Sequence, residues 1–393
     1  VSSIAQVISA IRENPGITRP QIARMCKLSR PAVSMILRLL VEKGLVREDG
    51  TVKSNAVGRN PIKLKFNYDA FQIVGVDIGG TNLRGAILDL DGKVSQRRTE
   101  SICPDDLLEQ VSALIRALIE KTDTCLLGIG IGVAGTVDPA SGTVFNAPAL
   151  RKQNLNLAQA LTRDLGLPVY VDNDVNLAAV GEHWRGAARG SKNSICISIG
   201  TGIGAGLILD GRLYRGSHNL AGEVGYFFYR DRLPEEPIYG FGDFELSAGG
   251  WGLRQRALEE LEKGETVETL LHSLVEDGRS TLDAQTVVKA AMKGDVFANR
   301  LIQEASFKIG ITVANVVSLL DLEAVVLTGG LMTSAAEWIL PAVEEAIRYV
   351  ALPEIRDKVS VRIGRLGEDA VLIGAAYQVQ ESELPLVIKK ERG

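Results

Sequence analysis

The chain has 393 residues, 46% of them hydrophobic and 23% charged, which describes a soluble globular protein too long for one compact core. No apolar run is long enough to span a bilayer, and the opening VSSIAQVISAIREN lacks the basic-then-apolar order of a secretory signal. The net charge of −4 is unevenly divided: residues 1–66 carry twelve Lys and Arg against four Asp and Glu, and the rest carries 32 against 44. A basic head on an acidic body suggests that the head meets a polyanion, with a solvated basic surface as the alternative. Cys26, Cys103, Cys125 and Cys196 are widely separated with no CxxC pair. That argues against a disulfide framework and fits a reducing, cytoplasmic setting with no membrane partner.

In the head, Ile4, Val7, Ile8 and Ile11 recur at helical spacing, and Asn14-Pro15-Gly16 ends that helix. Thr18 can cap a second helix over 19–25, with Ile22, Ala23 and Met25 partly inward. Ser29 caps a third with Pro31 in its first turn, where a missing N–H costs little. Val33, Ile36, Leu37 and Leu40 form its buried stripe, leaving Arg30, Ser34, Met35 and Arg38 outward. Two strands follow, over 45–48 and 62–66, joined by a loop with Gly58-Arg59-Asn60-Pro61. This is the pattern of a winged helix-turn-helix. The third helix would present Arg30, Ser34 and Arg38 to operator DNA, and Arg59 could enter a minor groove. A small protein-interaction module is the alternative.

The body opens with IVGVDIGGTNLRGAILDL at 73–90, which reads strand, turn, strand. Two adjacent glycines in Asp77-Ile78-Gly79-Gly80-Thr81 leave amide N–H groups uncovered by side chains. Such a turn can wrap a phosphate, with the Thr81 hydroxyl and the Asp77 carboxylate beside it; an ordinary hairpin is equally consistent with this stretch alone. Arg84 could reach a phosphate or make a surface salt bridge. Residues 168–171 form a strand that delivers Asp172-Asn173-Asp174 at its C-terminal end, where ligands collect in open α/β sheets. Asp174 there is either a general base or part of a helix cap. SICISIGTGIGAGLIL at 194–209 repeats the opening plan, with Gly200, Thr201, Gly202 and Gly204 in a second cradle. A third turn, Thr328-Gly329-Gly330, ends the strand 324–327. Two such hairpins in separate halves suggest duplicated lobes closing on a nucleotide.

The segments GVDIGGTNLRGAI, VDNDVNLAAVGE, GTGIGAGLILDG, AGEVGY and VVLTGG resemble the ROK family of sugar kinases and sugar-responsive repressors over nearly the whole chain. The head resembles that of the repressor branch, which includes regulators of the xylose and N-acetylglucosamine type. The resemblance implies an α/β, actin-like (hexokinase-like) two-lobed ATPase fold behind an N-terminal winged helix-turn-helix. The expected division is 1–66 for the head, 70–172 for the first lobe, completed by about 375–393, and 173–374 for the second. It also implies that Asp77, Gly79, Gly80 and Thr81 occupy the first phosphate motif and Gly200, Thr201, Gly202 and Gly204 the second. Gly329 and Gly330 would occupy the adenosine-side turn. Asn173, Asp174 and Glu223 match sugar-contacting positions, with Asp174 at the kinase base, and Glu245 matches a further sugar carboxylate. Tyr226 stands where the family often has a histidine that binds zinc and touches sugar. Residues 239–245 replace the family's cysteine motif, and Tyr and Phe cannot replace thiolates, so no structural zinc is expected. Ala149, where the family often has Asn, offers no amide to a sugar hydroxyl.

Two functions are compatible with these residues. The first is a sugar-responsive transcriptional repressor, a homodimer or homotetramer on operator DNA with a sugar effector between the lobes. The second is an ATP- and Mg²⁺-dependent sugar kinase, supported by both phosphate turns and the candidate base.

Overall fold

The computed structural model describes residues 3–51, 61–238, 240–262, 269–274 and 282–389. In the head, Val7, Ala10 and Ile11 are the buried stripe of helix Ser3–Glu13. Ile22 is the buried residue of Arg19–Met25, and Val33, Ile36, Leu37 and Leu40 are those of Arg30–Glu42. The helix starts follow from local hydrogen bonds. The Thr18 N–H donates to Gln21 Oε1 at 2.8 Å, and Ser29 Oγ accepts from the Ala32 N–H at 3.3 Å. Met25, expected partly inward, is 55% exposed. It closes its short helix beside Asn14, where the first helix has already ended and no layer remains to cover it.

The wing strands Val46–Thr51 and Ile62–Phe66 pair antiparallel. Thr18 is the cap of the second helix and also, with Ile17, forms a short third strand on the other edge of Ile62–Phe66. The loop between the wing strands, with Arg59, lies outside the described residues.

The body contains two five-stranded sheets. The first runs Val169–Asn173, Leu126–Val133, Gln72–Ile78, Asn82–Asp89, Val94–Ser101. The second runs Arg212–Tyr214, Ile203–Leu209, Ser194–Ile199, Ala324–Thr328, Ser360–Ile363. Each is an antiparallel meander with two parallel strands added beyond its first member. The same path is walked twice, which is the duplicated α/β architecture that the paired glycine turns suggested. A small antiparallel sheet of Thr136–Asp138, Thr143–Ala147 and Lys152–Leu155 projects from the first lobe.

Strand Leu126–Val133, LLGIGIGV, shows why its glycines alternate. Ile129, Ile131 and Val133 fill one core together with Val111, Leu114 and Ile115 of helix Leu107–Ile119. The other face is bare backbone, and the last helix, Ala370–Lys389, lies directly on it. A Cβ on Gly130 would stand 2.5 Å from the Ala375 carbonyl oxygen, and one on Gly132 2.4 Å from a Val371 methyl. The same helix crosses helix Asp174–Trp184 just as closely. A Cβ on Gly374 would stand 1.8 Å from the Leu177 carbonyl oxygen, and one on Gly181 2.3 Å from that of Ala370.

The head is seated on this last helix. One apolar cluster runs from Val7, Ile11, Leu64 and Phe66 to Val379, Leu384 and Ile388. Arg12 stands at the joint: its guanidinium lies 4.2 Å from the Phe66 ring centroid and donates to Gln380 Oε1 at 3.1 Å. Gln380 is itself buried. Among the described residues, no helix is long and apolar enough to cross a membrane.

The helix crossing has no room for a methyl group. Gly374→Ala is expected to lower the unfolding free energy by roughly 1–3 kcal/mol, the usual cost of overpacking a tight core, measured by urea denaturation. An unchanged midpoint would show that the two helices can separate freely.

Candidate functional site

Strand Val169–Asn173 ends opposite Val133, and helix Asp174–Trp184 begins at the next residue. The three polar residues at this junction divide the work. Asn173 is the helix cap: its Oδ1 accepts from the Asn176 N–H at 3.0 Å, while its Nδ2 donates to the Gly135 carbonyl at 3.0 Å. Asp172 is 1% exposed and receives both ends of the Arg215 guanidinium, at 2.9 and 2.6 Å. Gln378 of the last helix donates to it at 3.4 Å. Asp174 is left part-exposed, with one oxygen accepting from the Val175 N–H at 3.0 Å. Burial above all, then the neighbouring Asp77 and Glu223 carboxylates, push its pKa up to about 7. A carboxylate poised there exchanges protons near neutrality, as a general base must.

The first hairpin turn sits beside it. Asp77 closes strand Gln72–Ile78 almost fully buried, and burial raises it to about 6 against the pull of Arg84. Arg84 donates to Asp77 Oδ2 at 3.2 Å and to Glu368 Oε1 at 3.1 Å, so of its two readings the structure contains the salt bridge. The second hairpin reaches the same helix, since a Cβ on Gly204 would meet Val175 at 3.1 Å.

In each turn the leading glycine amide is already used. Gly79 N–H donates to the Asn82 carbonyl and Gly200 N–H to that of Gly202, both at 3.0 Å. The remaining groups, at Gly80, Thr81, Thr201 and Gly202, are at least part-exposed. A Cβ on Gly200 or Gly330 would enter open space, whereas Gly329 (φ 101°) is pressed against Ile199. Open backbone, two hydroxyls and a carboxylate are a donor set that fits a nucleoside triphosphate with its magnesium. Ala149 borders the first turn, its methyl 3.4 Å from the Cβ position of Gly80.

Glu223, Tyr226 and Glu245 come together by charge as well as by position. Desolvation and then Glu245 raise the pKa of Glu223. Desolvation, Glu245 and Glu223 in that order raise that of Tyr226. Glu245 is also raised by burial, although its two oxygens accept from the Ile203 and Gly242 N–H groups at 3.0 Å each. A Cβ on Gly202 would meet Glu245 Oε1 at 2.5 Å, so this carboxylate also braces the second phosphate turn. Tyr226 donates its hydroxyl to the Gly240 carbonyl. The Glu223 carboxylate makes no hydrogen bond or ion pair among the described residues, while its backbone carbonyl accepts from the Tyr226 N–H at 3.2 Å. Sequence reasoning missed Arg215, because nothing local links it to Asp172 forty-three residues earlier.

On the head, Arg30, Ser34, Met35 and Arg38 all lie exposed on one face of helix Arg30–Glu42. This face carries two guanidinium groups and a hydroxyl around the Met35 side chain, itself 69% exposed.

Comparison with known proteins agrees with both parts. Residues 73–382 match the ROK family and residues 5–53 the MarR family. The chain is 30% identical over 386 residues to the xylose repressor of Caldicellulosiruptor bescii, covering 95% of this chain and 94% of that protein. Among solved structures, a ROK family transcriptional regulator, a homolog of the E. coli MLC protein, superposes with a TM-score of 0.84 at 26% identity over 98% of both chains. A ROK family glucokinase from Streptomyces griseus, in complex with glucose and AMPPNP, superposes with a TM-score of 0.68 at 28% identity, covering 79% of this chain and 99% of that one. With its match extending over most of the body, this chain belongs to the ROK family.

Proposed function

We propose that the protein is a sugar-responsive transcriptional regulator, acting as a repressor of carbohydrate-metabolism genes. The observation that carries this reading is the exposed Arg30–Ser34–Arg38 face of a winged head that shares one apolar cluster with a carboxylate-lined, two-lobed body. Arg30, Ser34 and Arg38 read the major groove of operator DNA, and Arg59 on the wing loop enters the minor groove. Sugar hydroxyls donate to Asp174, Glu223 and Glu245, with Asn173 and Tyr226 at the border. The sugar acts by binding one arrangement of the lobes better than the other, and that difference is all it can transmit to the heads. A homodimer or homotetramer supplies two heads for a pseudopalindromic site. Similarity to a xylose repressor over 95% of the chain supports the reading.

A second reading, a sugar kinase alone or combined with regulation, is favoured by the accessible turns and by the pKa of Asp174 near 7. Bound ATP and Mg²⁺ would supply the transferable phosphoryl group and its charge neutralisation. Gly80, Thr81, Thr201 and Gly202 would hold the phosphates, Gly329 and Gly330 would flank the adenosine, and Asp77 would lie on the magnesium side. Asp174 would orient a sugar hydroxyl and take its proton.

Fluorescence anisotropy with DNA from the promoters adjoining its own coding sequence should show salt-sensitive binding that one sugar of a broad panel weakens. Arg38→Ala should reduce that DNA affinity by roughly tenfold or more and leave sugar affinity unchanged; equal DNA binding by the variant would remove the third helix from the interface.

For the kinase reading, coupled detection of ADP should show turnover with a sugar that disappears in Asp174→Ala. No ADP across the panel would leave regulation alone.

The raised pKa of Asp174 also has a stability sign. Between the unfolded value near 4 and about 7 the folded state holds the extra proton, so this group makes stability fall as pH rises through that window. Asp174→Asn should therefore melt above the wild type at pH 8, with the gap closing toward pH 4, while sugar affinity is lost. A variant less stable at pH 8 would contradict the assignment.

A further inference from the structure

Glu223, Tyr226 and Glu245 are carried by two segments that belong to neither sheet: residues 223–230 and the short helix Asp243–Ala248. What joins these segments is a buried carboxylate. Asp243 is 2% exposed; its Oδ2 accepts from the Tyr229 N–H at 2.9 Å and its Oδ1 from Arg230 Nε. The Tyr229 ring packs against Phe244 at 5.5 Å between centroids, and its hydroxyl meets Thr312 of the long helix Val296–Leu320.

The resemblance to the family would place a zinc between these two segments. The residues present do not fit one. Among the described residues, no group of three or more His, Cys, Asp or Glu could hold a metal ion. The Tyr226 hydroxyl is turned to the Gly240 carbonyl, and both Asp243 oxygens are taken by a backbone amide and a guanidinium.

We propose that Asp243, bonded to Arg230 and to the Tyr229 amide, is a metal-free clasp that positions Glu223, Tyr226 and Glu245 for the sugar. This inference rests on the sugar-binding reading of the body. A buried carboxylate is costly unless its oxygens are all answered, and it then becomes a strict geometric constraint, because losing one partner strands the other. Arg230, Lys308, Arg256 and Glu304 share a charged neighbourhood with Asp243, and Glu245 lies two residues along the same helix. The mechanical link to the pocket is short. Asp243 and Glu245 lie on one helical turn, and Glu245 abuts Gly202 of the second phosphate turn. Freeing Asp243 frees Glu245 with it.

Hydrogen exchange read by mass spectrometry on the full chain tests this. Wild-type amides at 224–230 should be protected to the same degree in EDTA and with added zinc. Asp243→Asn keeps the volume but loses the charge. It should speed exchange at 224–230 and 242–248 roughly ten- to hundredfold, the worth of a charged hydrogen bond, without changing exchange in helix Arg30–Glu42. Arg230→Gln, at an exposed position, should loosen the same two segments and no others. Titration with the panel sugar that binds wild type should show at least a tenfold weaker complex in Asp243→Asn, and unaltered operator affinity without sugar. The clasp is refuted if EDTA alone deprotects the wild-type segments, or if both variants exchange as the wild type does. If wild type binds no sugar of the panel, the sensing function falls, while the exchange measurements still decide the clasp.

Discussion

Two helices that meet without side chains between them set the architecture. Where Asp174–Trp184 crosses Ala370–Lys389, Gly181 and Gly374 bring backbone against backbone, and Gly130 and Gly132 provide the flat seat beneath. Helices normally lose stability at glycine, by about 0.5–1 kcal/mol relative to alanine. Here that cost is offset by an approach that no other residue allows. The crossing joins the lobes, because the first helix packs on the second sheet and the last helix on the first. It also sets distances: Asp174 lies at one end of the first helix, and the Trp184 ring at its other end packs tilted against Tyr377 of the last, 5.1 Å between centroids. One turn further on, Gln380 receives Arg12 of the head. The candidate site at Asp174 and the winged head are thus attached to opposite ends of this helix pair.

The chemistry of the candidate site follows first from burying its carboxylates. Asp77, Asp174, Glu223 and Glu245 all have raised pKa values, with burial as the first cause in each case. Arg84 answers Asp77, and Arg215 is spent on Asp172. The candidate site is therefore rich in carboxylate acceptors, which the hydroxyls of a polyhydroxylated ligand are well suited to meet. Asp172 and Asp174, two residues apart, differ in their partners: Asp172 holds a bidentate guanidinium, whereas Asp174 has no cationic side-chain partner among the described residues.

Much of this was legible in the sequence. The three helices and wing of the head followed from apolar spacing, caps and the Pro31 signal, because those are local properties. The two glycine hairpins and their duplication were legible for the same reason. Pairing across sequence distance was not. Nothing near Asp172 announces Arg215, nothing near Ile17–Thr18 announces its strand partner at Leu64, and Asp243 has no local mark that separates a buried clasp from a surface acid. Met25 failed differently: periodicity located a face but could not say where the layer above it stops. The alternating glycines of Leu126–Val133 carry no local sign of their use, and only the position of the last helix explains them.

The joint at Arg12 gives the head a second duty. Val379, Leu384 and Ile388 of the last helix are buried in the same cluster as Val7, Ile11 and Phe66. A body cut free of residues 1–66 would present that helix flank to water as a greasy strip. Such a fragment would be prone to stick to its own kind or precipitate, so failure of a headless body in solution would reflect a lost cover rather than a lost ligand site.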